Sequence, residues 1–406
     1  MLSAKMSRRG ECYGGGTDHG TSLCNISDRY ERFGFMKKLG FGMMRLPLLD
    51  ANDPTSVDMH QVCHMVDEFL SHGFTYFDTA YMYHGFQSEI VVREALVKRY
   101  PRDSFQLASK LPTMRLKEEG DQERIFAEQL QKCGVDYFDY YLVHNINSTT
   151  YPTAQRLQSF AFVEQLKKEG KVKKMGFSFH DTADMLDRVL NEHPNVDFVQ
   201  IQLNYLDWDS EGIQSRKCYE VCRKHGKPIV VMEPVKGGTL AKVPERVENL
   251  FRQARPDASV ASWAIRFAAS CEGVFMVLSG MSNMDQLSDN MGYMEHFEPM
   301  SDAEKALLPI AVKIIYEDIA VACTGCGYCV EGCPKGINIP KYFDLYNADK
   351  HSENRDFSLQ AVYYENLTQT YGKASDCIRC KKCEKSCPQH IHIADALKQV
   401  AAAFED

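Results

Sequence analysis

Between residues 38 and 297, short apolar runs alternate with longer stretches that are apolar on one helical face. The short runs are Leu39–Met44, Thr75–Thr79, Phe105–Lys110, Tyr137–His144, Lys174–Phe179, Phe198–Gln202, Pro228–Met232 and Val274–Ser279. Amphipathic helices are expected between them at Met59–Ser71, Ser88–Lys98, Gln122–Lys132, Ala154–Glu169, Ala183–Leu190, Gln214–Lys224, Val260–Ala269 and Met284–Met294. Strands alternating with helices predict βαβ units and a parallel sheet. Eight units in about 260 residues predict an α/β fold of the (β/α)8 TIM-barrel type. A doubly wound open sheet is the alternative. It calls for a Gly-rich fingerprint after the first strand, and Gly40-Phe41-Gly42 does not continue into one.

Two ends stand outside this alternation. Residues 1–35 are polar, contain Gly14-Gly15-Gly16 and show no period, so they read as an N-terminal extension to a barrel spanning 36–297. Glu298-Pro299 closes the pattern, and Ser301-Asp302 reads as the cap of a new helix over Ala303–Tyr316. That helix opens a second region, 298–406.

Composition changes the picture in one place. The 406 residues are 44% hydrophobic and 25% charged, as in ordinary globular proteins, but 15 are cysteine. Eight of these lie between Cys323 and Cys387 and seven in the other 341 residues, which excludes an evenly spread disulfide scaffold. The net charge of −8 argues against nucleic acid or an anionic membrane as partner. No apolar run approaches the roughly 20 residues of a bilayer span, and Met1–Gly20 holds no secretory pattern. The expected location is the cytoplasm, where clustered thiols bind metal more readily than they form disulfides.

The cysteines form two runs of one spacing, Cys323-x2-Cys326-x2-Cys329-x3-Cys333-Pro334 and Cys377-x2-Cys380-x2-Cys383-x3-Cys387-Pro388. Two-residue gaps curl three thiolates around one 4Fe–4S cubane, and the fourth cysteine reaches the other cluster. Cys387 is therefore expected to join Cys323, Cys326 and Cys329, and Cys333 to join Cys377, Cys380 and Cys383. Zinc sites use pairs instead of tight triplets followed by Cys-Pro. The 43 residues between the runs hold two helical stretches, Tyr342–Ala348 and Ser358–Tyr371. The arrangement resembles the α-helical ferredoxin domains of some dehydrogenase iron–sulfur subunits. Around the second run Lys373, Arg379, Lys381, Lys382 and Lys385 outnumber Asp376 and Glu384, a collar suited to ferredoxin or another acidic electron carrier.

Barrel chemistry gathers at the C-terminal ends of strands. Asp78 ends the second predicted strand with Tyr83 just beyond it, Lys110 ends the third and His144 the fourth. With Glu89, Ser109-Lys110, Gly176-Phe177-Ser178, Gln200, Gly237-Gly238 and the run Gly280–Asn290, this pattern resembles the aldo-keto reductases over residues 38–297. The resemblance implies a catalytic tetrad of Asp78, Tyr83, Lys110 and His144 acting on a small carbonyl substrate. Tyr83 gives a proton while hydride arrives from NAD(P)H, and Lys110 brings the phenol towards the operating pH. It also implies that Ser178 and Gln200 hold the nicotinamide, and that Gly237, Gly238, Gly280, Gln286 and Asn290 flank its phosphates and adenosine, partly through backbone N–H groups at a helix start. The chain departs from the family at Phe179-His180, at Met232 in place of a stacking tyrosine, and at Gly280 and Gln286 in place of basic residues.

Hydride carries two electrons and each cluster exchanges one, so coupling the halves calls for a splitter such as a flavin. Three models stay open: a nicotinamide-dependent reductase with structural or sensing clusters, a ferredoxin-linked oxidoreductase, and an electron-transfer or sensor subunit with an idle barrel. Lesser candidates are Cys218 with Cys222 as a thiol pair, His180 at the active-site mouth, and Tyr205 and Trp208 as pocket aromatics.

Overall fold

The computed structural model describes residues 36–210, 213–350 and 359–405; the extension read at 1–35 lies outside the described residues. Eight parallel strands close into a barrel in chain order: β1 (Leu39–Gly42), β2 (Tyr76–Asp78), β3 (Gln106–Pro112), β4 (Phe138–Ile146), β5 (Val172–Phe179), β6 (Phe198–Gln202), β7 (Ile229–Met232) and β8 (Val274–Gly280). The register of β8 on β1, from Leu39 opposite Val277 to Gly42 opposite Gly280, completes the ring. The strands read as unbroken apolar runs because barrel strands are covered on both faces. Every residue of β4 except Asn145 is buried. Inside the barrel Tyr76, Tyr140, Leu142, Phe198, Val230 and Met276 fill the axis, with Met36 packed against them.

Helices α1 (Met59–Ser71), α2 (Ser88–Val92), α3 (Asp121–Cys133), α4 (Tyr151–Arg156), α5 (Ser159–Lys168), α6 (Ala183–Glu192), α7 (Ser215–Lys224), α8 (Glu245–Ala254), α9 (Val260–Ser270) and α10 (Met284–Met294) accompany the barrel. Three differ from expectation. The helix read over Ser88–Lys98 leaves α geometry after Val92 and continues as a π-helical turn over Arg93–Val97. The helix read over Ala154–Glu169 is divided at Gln158, whose φ of 53° is incompatible with continuation. Helix α8 was not foreseen, since it sits inside the long β7–β8 connection and interrupts the strand–helix alternation; Val247 and Phe251 bury its apolar edge.

Ser301 and Glu304 form a capping box at the start of α11 (Asp302–Asp318), at the expected position. This helix packs on the barrel: Leu308, Ala311 and Ile315 share a core with Leu240, Phe251 and Trp263. The buried Arg266 of α9 grips Glu304 through two hydrogen bonds of 2.7 and 3.2 Å. Helix α11, read at the start of the 298–406 region, thus shares a core with residues of the barrel region.

Beyond it, α12 (Ile339–Lys350), α13 (Leu359–Thr368) and α14 (Ile393–Phe404) surround a separate core of Tyr342, Phe343, Tyr346, Tyr364, Leu397 and Val400. Helix α14, with apolar residues at Ile393, Leu397 and Val400, closes this unit and was missing from the sequence reading. Cys329, Cys383 and Cys387 are buried in the same core. Among the described residues, no helix is long and apolar enough to cross a membrane.

Candidate active site

Strands β2, β3 and β4 deliver three side chains to one point. Lys110 Nζ, fully buried, donates to Asp78 Oδ1 at 2.6 Å, to the Thr79 carbonyl at 2.7 Å and to Tyr83 Oη at 3.4 Å. The His144 ring stands edge-on to Tyr83 with centroids 6.3 Å apart. Tyr83 opens a single turn, Tyr83–Phe86, in which His84, Gly85 and Phe86 all have positive φ. His84 pins this turn to the β1 loop: its Nε2 accepts from the Leu46 N–H at 3.2 Å, and its Nδ1 lies 2.9 Å from the Pro54 carbonyl. Behind Lys110, Glu89 Oε1 accepts from Ser109 Oγ at 2.7 Å and from Gln129 Nε2 at 2.6 Å, fixing β3 from its outer side.

Burial dominates the electrostatics. It pushes the Asp78 carboxyl up and the Lys110 ammonium down, each opposed by attraction to the other. It pushes the Tyr83 phenol well above its usual value, reinforced by Asp78 and Glu233 and opposed by Arg45. The direction is upward, opposite to the lowering expected from Lys110, and burial is its largest cause. His144 is pushed well below the usual histidine range, first by burial and then by the Lys110 charge. Its ring is neutral, and Nδ1 has no hydrogen-bond partner among the described residues.

A cavity of about 320 Å³ opens over these groups. Asp78, Tyr83 and His144 line it, as do Ser178, Gln200, Gly237, Gly238, Gly280, Gln286 and Asn290, while Lys110 lies behind its wall. Two buried polar groups suit a carboxamide, one as acceptor and one as donor. Gln200 Oε1 has no hydrogen-bond partner among the described residues, and Ser178 Oγ accepts the Asn145 N–H at 2.8 Å, which leaves its own hydrogen to donate. At the other end Asn283 caps α10, its side chain accepting from the Gln286 N–H at 2.9 Å. Arg45 fills the space of the missing side chain at Gly280, where a Cβ would come within 3.1 Å of it. His180 also lines the cavity. Tyr205 and Trp208 do not; Tyr205 packs with Phe251 and Phe267, and Trp208 with Tyr219 and Phe267. Cys218 and Cys222 are buried thiols pushed upward by desolvation, as in ordinary core packing.

The remaining wall comes from the cysteine-rich region. Thr324, Cys326, Tyr328, Pro388 and Gln389 close the cavity opposite the tetrad. A second, smaller cavity is lined by Cys323, Cys326, Cys329 and Cys387, the four thiols expected to share one cluster, together with Ile339, Phe343 and Ile391. Four thiols facing one apolar enclosure are the donor set of a 4Fe–4S cluster, although among the described residues they are not drawn into ligand geometry around a metal ion. The other set differs in exposure: Cys383 is buried, Cys333 and Cys377 are half-buried, and Cys380 is exposed.

The two regions meet closely. The Thr324 carbonyl accepts from Arg45 Nη2 at 3.1 Å. It also lies so near Gly237 that a Cβ there would come within 2.4 Å, on a residue with φ of 64°. Gly237→Ala is accordingly expected to cost at least about 2 kcal/mol, combining left-handed strain with a backbone clash. The check is amide hydrogen exchange: protection should fall around residues 321–330 while the barrel strands keep theirs.

An aldo/keto reductase family model matches residues 38–309. The chain belongs to the aldo/keto reductase family. A 4Fe-4S dicluster domain model matches residues 322–392, so an iron–sulfur domain follows the reductase barrel. The chain is 30% identical over 211 residues to probable aldo-keto reductase 1 of Glycine max, a match covering 50% of this chain and 57% of that protein's own length. It is 24% identical over 282 residues to the NADH-specific methylglyoxal reductase of Escherichia coli K12, covering 58% and 82%. The aldo/keto reductase of Klebsiella pneumoniae, solved with NADP and acetate, superposes with a TM-score of 0.55 at 22% identity over 68% of this chain and 92% of that one. As an aldo/keto reductase the chain is an oxidoreductase.

Several site residues were absent from the sequence reading: His84, Arg45, Glu233, Tyr328, Lys236 and Gln389. Only Tyr328 lies within a spaced motif, between Cys326 and Cys329. The others are defined by contacts between segments far apart in the chain, and His84, Glu233 and Lys236 share a left-handed backbone, with φ of 51°, 54° and 47°.

Proposed function

We propose that the chain reduces a small carbonyl compound, with Tyr83 as the proton donor. The observation that carries this reading is the chain from buried Asp78 and Lys110 to half-buried Tyr83, beside His144 at one cavity. When bound, reduced nicotinamide supplies hydride and 4Fe–4S clusters supply one-electron exchange.

The protein's part is positional and electrostatic. The Tyr83 hydroxyl, kept protonated by burial, donates to the substrate oxygen. His144, neutral, contributes a second hydrogen bond to the same oxygen and holds the carbonyl in line. As the proton leaves Tyr83, the Lys110 ammonium stabilises the phenolate, and Asp78 holds the ammonium in place. Ser178 and Gln200 present their polar atoms to the nicotinamide carboxamide. Arg45 supplies a cation on the side where Gly280 and Gln286 replace basic residues, which suits a phosphate of NADH or NADPH. The test is anaerobic assay of the purified protein with NADH and NADPH against small aldehydes and ketones. Carbonyl-dependent loss of reduced nicotinamide is expected, and its absence with both nucleotides across the series would overturn the reading.

A second reading concerns the clusters. Cys326 and Tyr83 line one cavity, which favours electron exchange between the barrel site and an inner cluster held by Cys323, Cys326, Cys329 and Cys387. An outer cluster held by Cys377, Cys380, Cys383 and Cys333 would lie towards solvent at Cys380. Exposed Lys373, Arg379, Lys381, Lys382 and Lys385 around it suit an acidic one-electron carrier such as ferredoxin. A flavin in the cavity would convert single electrons to pairs.

A further inference from the structure

A buried polar network joins the two regions beside the inner cluster's ligands. Lys236 Nζ, 2% exposed, lies 2.7 and 2.8 Å from the two Asp207 oxygens and 2.6 Å from Gln389 Oε1. Gln389 follows Cys387 by two residues and exchanges two hydrogen bonds with Gln202 of β6, at 3.0 and 3.1 Å. Gln202 Nε2 and Asn204 Nδ2 donate to Asp207 Oδ2 at 3.0 and 2.8 Å, which fixes the carboxylate from its other side. Lys236, Asp207, Gln202, Asn204 and Gln389 are all buried. The tetrad chemistry uses none of them.

A buried ammonium is expensive, and a carboxylate partner offsets only part of the cost. Its position gives it an electrostatic role. Adding an electron to a cluster adds negative charge, which burial disfavours. A cation in the same low-dielectric space counters that penalty, without the screening that water imposes on surface lysines. Gln389, held by Lys236 at 2.6 Å, lines the same enclosure as Cys323, Cys326, Cys329 and Cys387. The lysines around Cys380 are exposed, so their effect on the outer cluster is screened.

We propose that Lys236, clamped between Asp207 and Gln389, is a positioning residue for electron transfer that keeps the reduction potential of the inner cluster above that of the outer one. Electrons that enter at Cys380 from a reduced acidic carrier protein then run downhill towards the barrel cavity. Each transfer moves one electron from the outer to the inner cluster; no bond is made or broken, no proton moves, and the carrier is oxidised by one electron. The proposal rests on the second reading above, in which the inner cluster exchanges electrons with the cavity.

The experiment is a potentiometric titration of the anaerobic holoprotein, followed by electron paramagnetic resonance without substrate or nucleotide. The signal lost in Cys380→Ala identifies the outer cluster. In the unaltered protein the inner cluster is expected to be reduced first. In Lys236→Met its midpoint should move to more negative potential while the outer midpoint stays in place, and Lys236→Arg should retain most of the original value. Should Lys236→Met fail to assemble clusters, Gln389→Leu, which frees the ammonium from the ligand loop, should give a smaller shift of the same sign. An inner cluster reduced last, an unmoved inner midpoint or an equal shift of both overturns the proposal. Because no substrate is present, that failure is separate from failure of cluster–cavity exchange, which is read by bleaching of the cluster absorbance on adding NADH or NADPH.

Discussion

Tyr83→Phe is expected to lower carbonyl turnover by about 10²–10⁴-fold, the usual contribution of a positioned general acid. The substitution removes one oxygen and leaves the ring against His144, so the cavity keeps its shape. Lys110 loses a 3.4 Å contact but keeps Asp78 and the Thr79 carbonyl. Fold, iron content and nucleotide binding should therefore be unchanged, with the loss confined to kcat and kcat/KM. Lys110→Met would be a poorer probe. It leaves the Asp78 carboxylate buried without its cation, and breaking a buried pair in this way costs about 3–5 kcal/mol of stability. Turnover by Tyr83→Phe within a few-fold of the parent would remove Tyr83 from the mechanism.

The second large effect concerns the crossing of ligands. Cys387→Ala is expected to remove about four of eight irons, and the cluster lost is the inner one, whose other ligands lie more than fifty residues earlier in the chain. Pairwise substitution separates this from the alternative in which each run keeps its own cluster. Cys387→Ala combined with Cys326→Ala should lose no more iron than either alone, because both ligate one cluster. Cys387→Ala combined with Cys380→Ala should lose nearly all of it. The reverse pattern in iron analysis would mean that each run binds independently.

The barrel strands were legible because period and length are local properties, and each is covered on both sides by the same architecture. The tetrad was legible for a related reason. Asp78, Lys110 and His144 are tied to strand ends, so predicting the strands places the side chains. Loop length grouped Cys387 with Cys323, Cys326 and Cys329, and these four thiols line one enclosure. What escaped depends on relations between distant segments. Helix α8 interrupts the strand–helix alternation, and α14 follows a ligand motif that dominates its surroundings. The direction of the Tyr83 shift differs from the lowering expected of Lys110, because a sequence records a neighbouring ammonium but not burial, the largest cause of the upward shift. Lys236 and Gln389 lie 153 positions apart, so no spacing rule could join them.

The shared wall of the cavity bears on how selectivity in this chain can change over evolutionary time. In a free-standing barrel, a new substrate preference requires altering loops that also carry the catalytic residues. Here Thr324, Tyr328 and Gln389 face the cavity from a region that contributes nothing to the tetrad. Substitutions at these positions can reshape the pocket with the proton-transfer residues intact, and a preference tuned this way is inherited only together with the iron–sulfur half. A barrel separated from that half would lack one side of its pocket.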